Sequence, residues 1–262
     1  MTVATEGVAD NDRRRLKGHH VVVAGAAAGI GRATALALAA ENARVTCLDT
    51  DEERLASLAS DLDARGGDHR VEVIDVTDAR AVGRLLPALV QRTGQIHALV
   101  NCVGITGTTN LRSHEVDLAD FTTVLRVNVV GAFNLSQAIL PLMLPHGYGR
   151  ILHLASVAGK EGNAGMVSYS TSKAALIGMV KSQGKEYATD GITVNALAPG
   201  VIRTDLVARM PPQQVEYMTS RIPVGRCATL DEVADMILWI ISPAASFTTG
   251  FTYDLSGGRA TY

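Results

Sequence analysis

Tyr169-Ser170-Thr171-Ser172-Lys173 sets a phenol and an ammonium four positions apart. On a helix, positions i and i+4 share one face. A lysine charge beside a tyrosine hydroxyl favours the phenolate and lowers a pKa that starts at about 10. A tyrosine so placed becomes a usable proton acceptor near neutral pH. The pair alone is weak, because ordinary helices contain Y-x-x-x-K by chance. Ser156 strengthens it. It lies 13 residues before Tyr169, just after the apolar run Arg150–Ala155. Open α/β sheets place their ligands at the C-terminal ends of strands. A hydroxyl there can hold an alcohol or carbonyl oxygen; capping a turn is the plainer alternative. Asn128 sits in an otherwise apolar stretch, Arg126-Val127-Asn128-Val129-Val130-Gly131. A buried amide must find partners, whether structural or functional.

A second constellation lies near the start of the chain. Val21-Val22-Val23-Ala24-Gly25-Ala26-Ala27-Ala28-Gly29-Ile30-Gly31 puts a glycine turn between an apolar strand and a helix. Gly25 permits the tight turn, Gly29 lets backbone approach a pyrophosphate, and Gly31 lets helix pack on strand. The helix opening at Ile30 presents free N–H groups and a positive dipole to phosphates. Asp49 ends the next strand, 18 residues after Gly31. A carboxylate there accepts from the adenosine ribose hydroxyls and repels a 2′-phosphate, which favours NAD over NADP. Capping the following helix is the alternative role, open equally to Thr50 or Asp51.

The spacing G-x-x-x-G-x-G, together with Asn128, Ser156, Tyr169 and Lys173, resembles the short-chain dehydrogenase/reductase family from about His19 to Arg259. The resemblance implies that these four residues form a catalytic tetrad, with Asn128 holding a water against Lys173. It also implies that Asp75 and Val76 meet the adenine. Asn101-Cys102-Val103-Gly104 looks like the family's N-N-A-G segment. Pro199-Gly200-Val201-Ile202-Arg203-Thr204 looks like its P-G-x-x-x-T loop, so Pro199, Gly200, Ile202 and Thr204 are expected around the nicotinamide amide. Tyr169 and Lys173 are expected to meet the cofactor as well. Three positions depart from the pattern: Ala24, Cys102 and Ala155 replace the usual Thr, Asn and Ser. None removes a reacting group. Cys102, with apolar neighbours and no basic partner in sequence, reads as inert.

The elements that must position these groups follow from periodicity. Short apolar runs alternate with helix-period segments, which predicts βαβ units and a parallel sheet. Strands are expected at Val21–Ala24, Arg44–Leu48, Val71–Val76, Ile96–Val100, Arg150–Ala155, Thr193–Ala198 and Phe251–Leu255. Helices are expected at Ile30–Glu41, from Asp51, at Asp78–Thr93, from about His114 to Leu140 with Pro141 as its stop, from Met166 to Ala188, and at Thr229–Ile241. The fold class is therefore α/β: a single-domain Rossmann fold, a doubly wound parallel sheet of about seven strands with helices on both faces. Residues 1–18 form a polar N-terminal extension, in which Arg13-Arg14-Arg15 reads as a solvated arm. Residues 19–262 form the catalytic domain, with 205–225 as a substrate lid.

Composition excludes other classes. The 262 residues carry a net charge of −2 and are 47% apolar. That balance gives no nucleic-acid footprint. No apolar run reaches the ~18 residues of a membrane span, and nothing reads as a signal peptide. Cys47, Cys102 and Cys227 are scattered, which suits a reducing, cytoplasmic setting without metal or disulfides. The expected activity is NAD-dependent hydride transfer between nicotinamide and a secondary alcohol or ketone, such as a polyol or sugar-derived hydroxy compound. A 3-oxoacyl-thioester reductase using NADPH is the alternative within the chemistry, and a non-catalytic dinucleotide sensor the alternative outside it. The intact tetrad argues against the sensor. Expected substrate contacts are Ser156, Ala158, Asn163, Met166 and Tyr169. The resemblance implies a homotetramer, or at least a homodimer, built on the two long helices and a C-terminal segment including Trp239-Ile240-Ile241.

Overall fold

The computed structural model describes residues 15–204, 207 and 212–262. The strands are β1 (His20–Ala24), β2 (Arg44–Asp49), β3 (Arg70–Val73), β4 (Ala98–Asn101), β5 (Gly149–Leu154), β6 (Ile192–Pro199) and β7 (Thr252–Leu255). They form one sheet in the order β3-β2-β1-β4-β5-β6-β7, and every neighbouring pair is parallel. The helices are α1 (Gly29–Ala40), α2 (Glu52–Asp63), α3 (Ala79–Thr93), α4 (Leu118–Leu125), α5 (Gly131–Met143), α6 (Val157–Glu161), α7 (Val167–Glu186), α8 (Pro212–Thr219) and α9 (Leu230–Ile240).

Strand alternation sorts the core into two layers. Val21 and Val23 face one side with Leu38 of α1, Leu55 and Leu58 of α2, and Val233 and Ile237 of α9. Val22 and Ala24 face the other with Leu86 of α3, Leu135 and Ile139 of α5, and Val180 of α7. Both faces of the sheet are covered, which is why its strands read as continuous apolar runs. The strand order reverses between β1 and β4, so a crevice opens where their C-terminal ends part.

Three expectations need correction. The third strand stops at Val73, short of Asp75 and Val76. Beyond Ile74 the chain turns, with the Asp75 carboxylate accepting from Thr77 N–H at 2.8 Å. The helix expected from His114 to Leu140 is broken: a 3-10 turn at Ser113–Glu115, α4, a π-helical segment at Arg126–Val130, then α5. Pro141 does not stop it. Pro141 sits in the last turn of α5, where its missing N–H costs one bond and the helix runs on to Met143. Of the N-terminal extension, Arg15, Lys17 and Gly18 are exposed, and Leu16 is buried in the core. Residues 1–14 lie outside the described residues, as do 205, 206 and 208–211 of the expected lid, including Arg209 and Met210.

By length and composition, Leu118–His146 is a helical run able to cross a membrane, but half of its apolar window is buried inside the protein. It is the core element formed by α4, the π segment and α5.

A histidine cluster closes the opposite end of the sheet. His19, His97 and Tyr148 stack with ring centroids 4.7–6.1 Å apart, and the Arg150 guanidinium lies 4.4 Å over the Tyr148 ring. His20 is buried between Thr46 at 2.8 Å and Thr93 at 3.0 Å. Burial pushes His20 down to about 4, with Arg44 and His97 adding to the effect, and burial also takes His97 to about 4. The unfolded chain takes up these protons near 6.5 while the folded chain refuses them until about pH 4. Stability is therefore complete above pH 6.5 and is lost as pH falls from there towards 4. His20 alone is expected to cost about 2 kcal/mol at pH 5. Urea midpoints at pH 7 and pH 5 check this: a clear drop is expected, and equal midpoints would contradict it.

Candidate active site

The site is built at the C-terminal edge of β1, β4, β5 and β6. The β1–α1 turn holds Gly25 at φ +74°, where a Cβ would meet the Val103 backbone nitrogen at 2.8 Å. A Cβ on Gly31 would sit 2.0 Å from the Gly25 carbonyl oxygen, so α1 touches the turn directly. Gly29 differs: it has φ +53° and open space around it. At Ala28 and in the first turn of α1, where Ile30 lies, there is neither a side-chain cap nor an acidic residue among the described residues. By contrast α2, α3, α4 and α9 are capped by Asp51, Asp78, Asp117 and Thr229. Uncapped N–H groups beside an open glycine turn fit a dinucleotide phosphate.

Asp49 braces this turn. One carboxylate oxygen accepts from Ala27 N–H at 2.9 Å, the other from Thr50 and Asp51 N–H at 2.8 and 3.2 Å. Asp51, rather than Asp49, caps α2 through Arg54 N–H at 3.0 Å. Asp75 is exposed, and Val76 is buried with its carbonyl accepting from Asn134 at 2.9 Å.

Asn101 is 1% exposed. Its oxygen accepts from Val103 N–H at 3.1 Å, so its nitrogen faces His153 Nδ1 at 3.2 Å. His153 Nδ1 must then accept, and Nε2–H donates to Ser136 at 3.0 Å. Burial lowers His153 to about 3, with Lys173 adding to the shift, so the ring stays neutral. Sequence reading passed over His153. Its signal was a lone polar ring in Ile151-Leu152-His153-Leu154, a strand otherwise apolar. Burial also lifts Cys102 to about 12, which agrees with an inert thiol.

Tyr169 and Lys173 share a face of α7. Lys173 is buried, and its ammonium donates to the Leu154 carbonyl at 2.6 Å, 5.6 Å from the Tyr169 ring centroid. Burial lowers it to about 8, against the opposing effect of Cys102. A Cβ on Gly104 would lie 3.1 Å from this ammonium, so a side chain there would press on it by a few tenths of an ångström. Ser156 caps α6, accepting from Ala158 N–H at 3.1 Å, and its hydroxyl lies on the Tyr169 side, where it favours the phenolate. Asn128 sits in the π segment. Its oxygen accepts from Ile105 N–H at 2.8 Å, and its nitrogen donates to Ile105 carbonyl at 2.9 Å and Ser172 hydroxyl at 2.8 Å. Ser172 in turn donates to the Tyr169 carbonyl at 2.7 Å.

One expectation about this group is overturned. Tyr169 is raised, not lowered: burial dominates, the Ser156 hydroxyl opposes it, and the Lys173 charge has no comparable effect. The ammonium is turned to the Leu154 carbonyl, and desolvation of a phenolate outweighs what remains.

The expected substrate contacts divide. Ser156 and Tyr169 meet; Ala158 is 1% exposed and packs inward. Asn163 and Met166 lie together, the Asn163 amide nitrogen 3.9 Å from the thioether. Pro199 ends β6, Gly200 N–H bonds the Leu255 carbonyl at 3.0 Å, Ile202 bridges to Ala228, and Thr204 is half-buried. A cleft lined by Gly200, Val201, Ile222, Val224 and Ser256 adjoins that loop. Arg203 is exposed.

Comparison with known proteins gives this fold and site their class. Residues 25–260 match a family model described as enoyl-(acyl carrier protein) reductase. The chain is 39% identical to 2-dehydro-3-deoxy-L-rhamnonate dehydrogenase (NAD(+)) of Sphingomonas sp. (strain SKA58), over 95% of this chain and 98% of that one. It is 38% identical to a 3-oxoacyl-[acyl-carrier-protein] reductase of Thermotoga maritima, over 93% and 98%. The crystal structure of NAD+-bound xylitol dehydrogenase superposes with a TM-score of 0.88 at 30% identity, over 93% of this chain and 99% of that one. The chain belongs to the short-chain dehydrogenase/reductase family. It is an oxidoreductase acting on CH–OH groups.

Gly159 is a second residue that sequence reading missed. A Cβ there would stand 2.6 Å from the Lys173 carbonyl carbon, so α6 presses on α7 between Ser156 and Tyr169. Overpacking of this kind costs about 1–3 kcal/mol. Gly159→Ala is expected to lower the melting temperature by roughly 2–12 °C in calorimetry and to reduce turnover. An unchanged melting temperature would show that the close approach is absent.

Proposed function

We propose that this chain oxidises a secondary alcohol of the polyol or sugar-derived class, or reduces the corresponding ketone, with NAD rather than NADP. The observation that carries the reading is Asp49 at the end of β2, bound to the glycine turn through Ala27 N–H at 2.9 Å. Its fixed negative charge stands where a 2′-phosphate would be repelled. The NAD(+) in the name of the Sphingomonas relative and the NAD+ in the xylitol dehydrogenase structure support it.

Gly25, Gly29, Ile30 and Gly31 would hold the pyrophosphate, Asp49 the ribose, Asp75, Val76 and Asn101 the adenine side, and Pro199, Gly200, Ile202 and Thr204 the nicotinamide side. When bound, the nicotinamide supplies the hydride acceptor or donor. The chain supplies position and proton transfer. Ser156 holds the substrate oxygen. Tyr169 takes its proton in oxidation and returns it in reduction. Lys173, held by the Leu154 carbonyl beside Tyr169, would present a positive charge to the ribose of a bound cofactor. Asn128 braces the segment through Ile105 and Ser172, a structural role that does not exclude holding a water beside Lys173, because its amide oxygen keeps a second lone pair. A raised phenol favours the protonated form, which suits donation to a ketone at neutral pH.

The 3-oxoacyl reductase relative keeps a second reading in view. We further propose that the chain assembles as a homotetramer, or at least a homodimer, through the two long helical stretches, α4 to α5 and α7; on the first of these Leu118 of α4, Val130 of the π segment and Phe133 of α5 are exposed apolar side chains. The expected contribution of Ile240 and Ile241 is withdrawn, because both are 1% exposed inside the core.

The test is cofactor reduction by absorbance with NAD+ and NADP+ across polyols, hydroxy acids and other secondary alcohols. NAD+-linked turnover is expected, and Tyr169→Phe should lose about 10²–10⁴-fold in kcat. Asp49→Ala should cut the NAD+ over NADP+ preference about tenfold, the worth of one charged hydrogen bond. Activity confined to NADPH and 3-oxoacyl thioesters would overturn the reading.

A further inference from the structure

The last residues of the chain fold back onto the segment that joins Ser156 to Tyr169. Ser256 accepts from Ala260 N–H at 2.9 Å and so turns the chain after β7. Arg259 then donates through Nε to Glu161 at 3.0 Å and through a terminal nitrogen to the Asn163 amide oxygen at 3.1 Å. Its side chain is only 13% exposed. A second pair repeats the link: Lys160, 5% exposed, donates to Asp254 at 2.9 Å. Tyr262 completes it, its hydroxyl bonding the Lys160 carbonyl and its ring lying 5.1 Å from the Lys160 ammonium. Three side chains from the end of the chain thus hold the 160–163 stretch.

The consequence falls on Asn163. An amide can present either its oxygen or its nitrogen to a neighbour. Arg259 has no acceptor, so it can engage only the oxygen. The nitrogen is left beside the Met166 sulfur, a weak acceptor at 3.9 Å, with hydrogen-bonding capacity to spare. The backbone of Asn163 is fixed too, its N–H donating to Ser170 at 3.0 Å, one position from Tyr169.

We propose that Arg259 is a specificity-setting positioning residue. By occupying the Asn163 oxygen it makes Asn163 read the substrate as an N–H donor, selecting substrates with a hydroxyl or carboxylate oxygen beyond the reacting carbon. The proposal rests on the reading of Asn163 as a wall of an alcohol pocket. Arg259 itself touches no reacting atom.

The experiment compares wild type, Arg259→Ala and Arg259→Lys as full-length chains. With the best alcohol of the panel, Arg259→Ala is expected to raise the alcohol KM about tenfold, with kcat changed less than about threefold and the NAD+ KM unchanged. Arg259→Lys, which keeps a donor but not the fork, should recover part of the loss. The same variants are compared by hydrogen exchange, where Arg259→Ala should speed exchange in peptides covering 157–166 but not in those covering the glycine turn. An unchanged alcohol KM, or a uniform change in both KM values and kcat, would overturn the specificity role. Unchanged exchange across 157–166 would overturn the clasp. If wild type oxidises no alcohol with NAD+, the functional reading fails by itself, and the exchange comparison still decides whether the clasp exists.

Discussion

The site depends on one buried charge. The Lys173 ammonium, shut away from water at the centre of the sheet's C-terminal edge, has the Leu154 carbonyl as its hydrogen-bond partner at 2.6 Å. An unpaired ammonium in such a place would be very costly. The neighbourhood is arranged accordingly: Gly104 leaves room for the charge, and Gly159 lets α6 press against the backbone of Lys173. Asn128 and Ser172 tie the π segment to α7 at the same level. The position of Tyr169 follows from this, because it shares the helical face that Lys173 anchors.

The side proposed to hold the cofactor is set by a different constraint, the absence of side chains. Gly25 meets the β4 loop at backbone distance, and Gly31 meets Gly25. Those contacts bring α1 so close that its uncapped N-terminus opens at the crevice between β1 and β4. Asp49 adds the one fixed negative charge on this turn and is itself fixed by three backbone donors. Shape and charge on this side therefore come from backbone geometry and one carboxylate. On the catalytic side they come from a chain of hydrogen bonds among buried polar groups, in which each member constrains the polarity of the next.

Much of this was legible in the sequence because it follows from short-range rules. Strand alternation, the glycine spacing and the i, i+4 pair are local patterns, and the sheet order agrees with them. What was not legible depends on tertiary surroundings. Pro141 reads as a helix stop, yet in a last turn it costs a single bond. Val71–Val76 reads as one strand, yet the Asp75 carboxylate turns the chain at Thr77. The ionisation of Tyr169 is the clearest case. Its neighbour in sequence suggests a lowered value, but burial and the direction of the ammonium decide otherwise. His153 and Arg259 likewise acquire their roles only from residues 52 and 96 positions away.

In the proposed reaction the half-buried Tyr169 phenol exchanges the proton of the substrate oxygen. The pH dependence of kcat/KM for alcohol oxidation at saturating NAD+ tests it most directly. Oxidation requires the phenolate, and the phenol is held above its ordinary value in the free chain. The rate is therefore expected to climb with pH through the neutral range into the alkaline one. A profile that is flat, or falls, from neutral to alkaline pH in a folded, NAD+-saturated enzyme would contradict it.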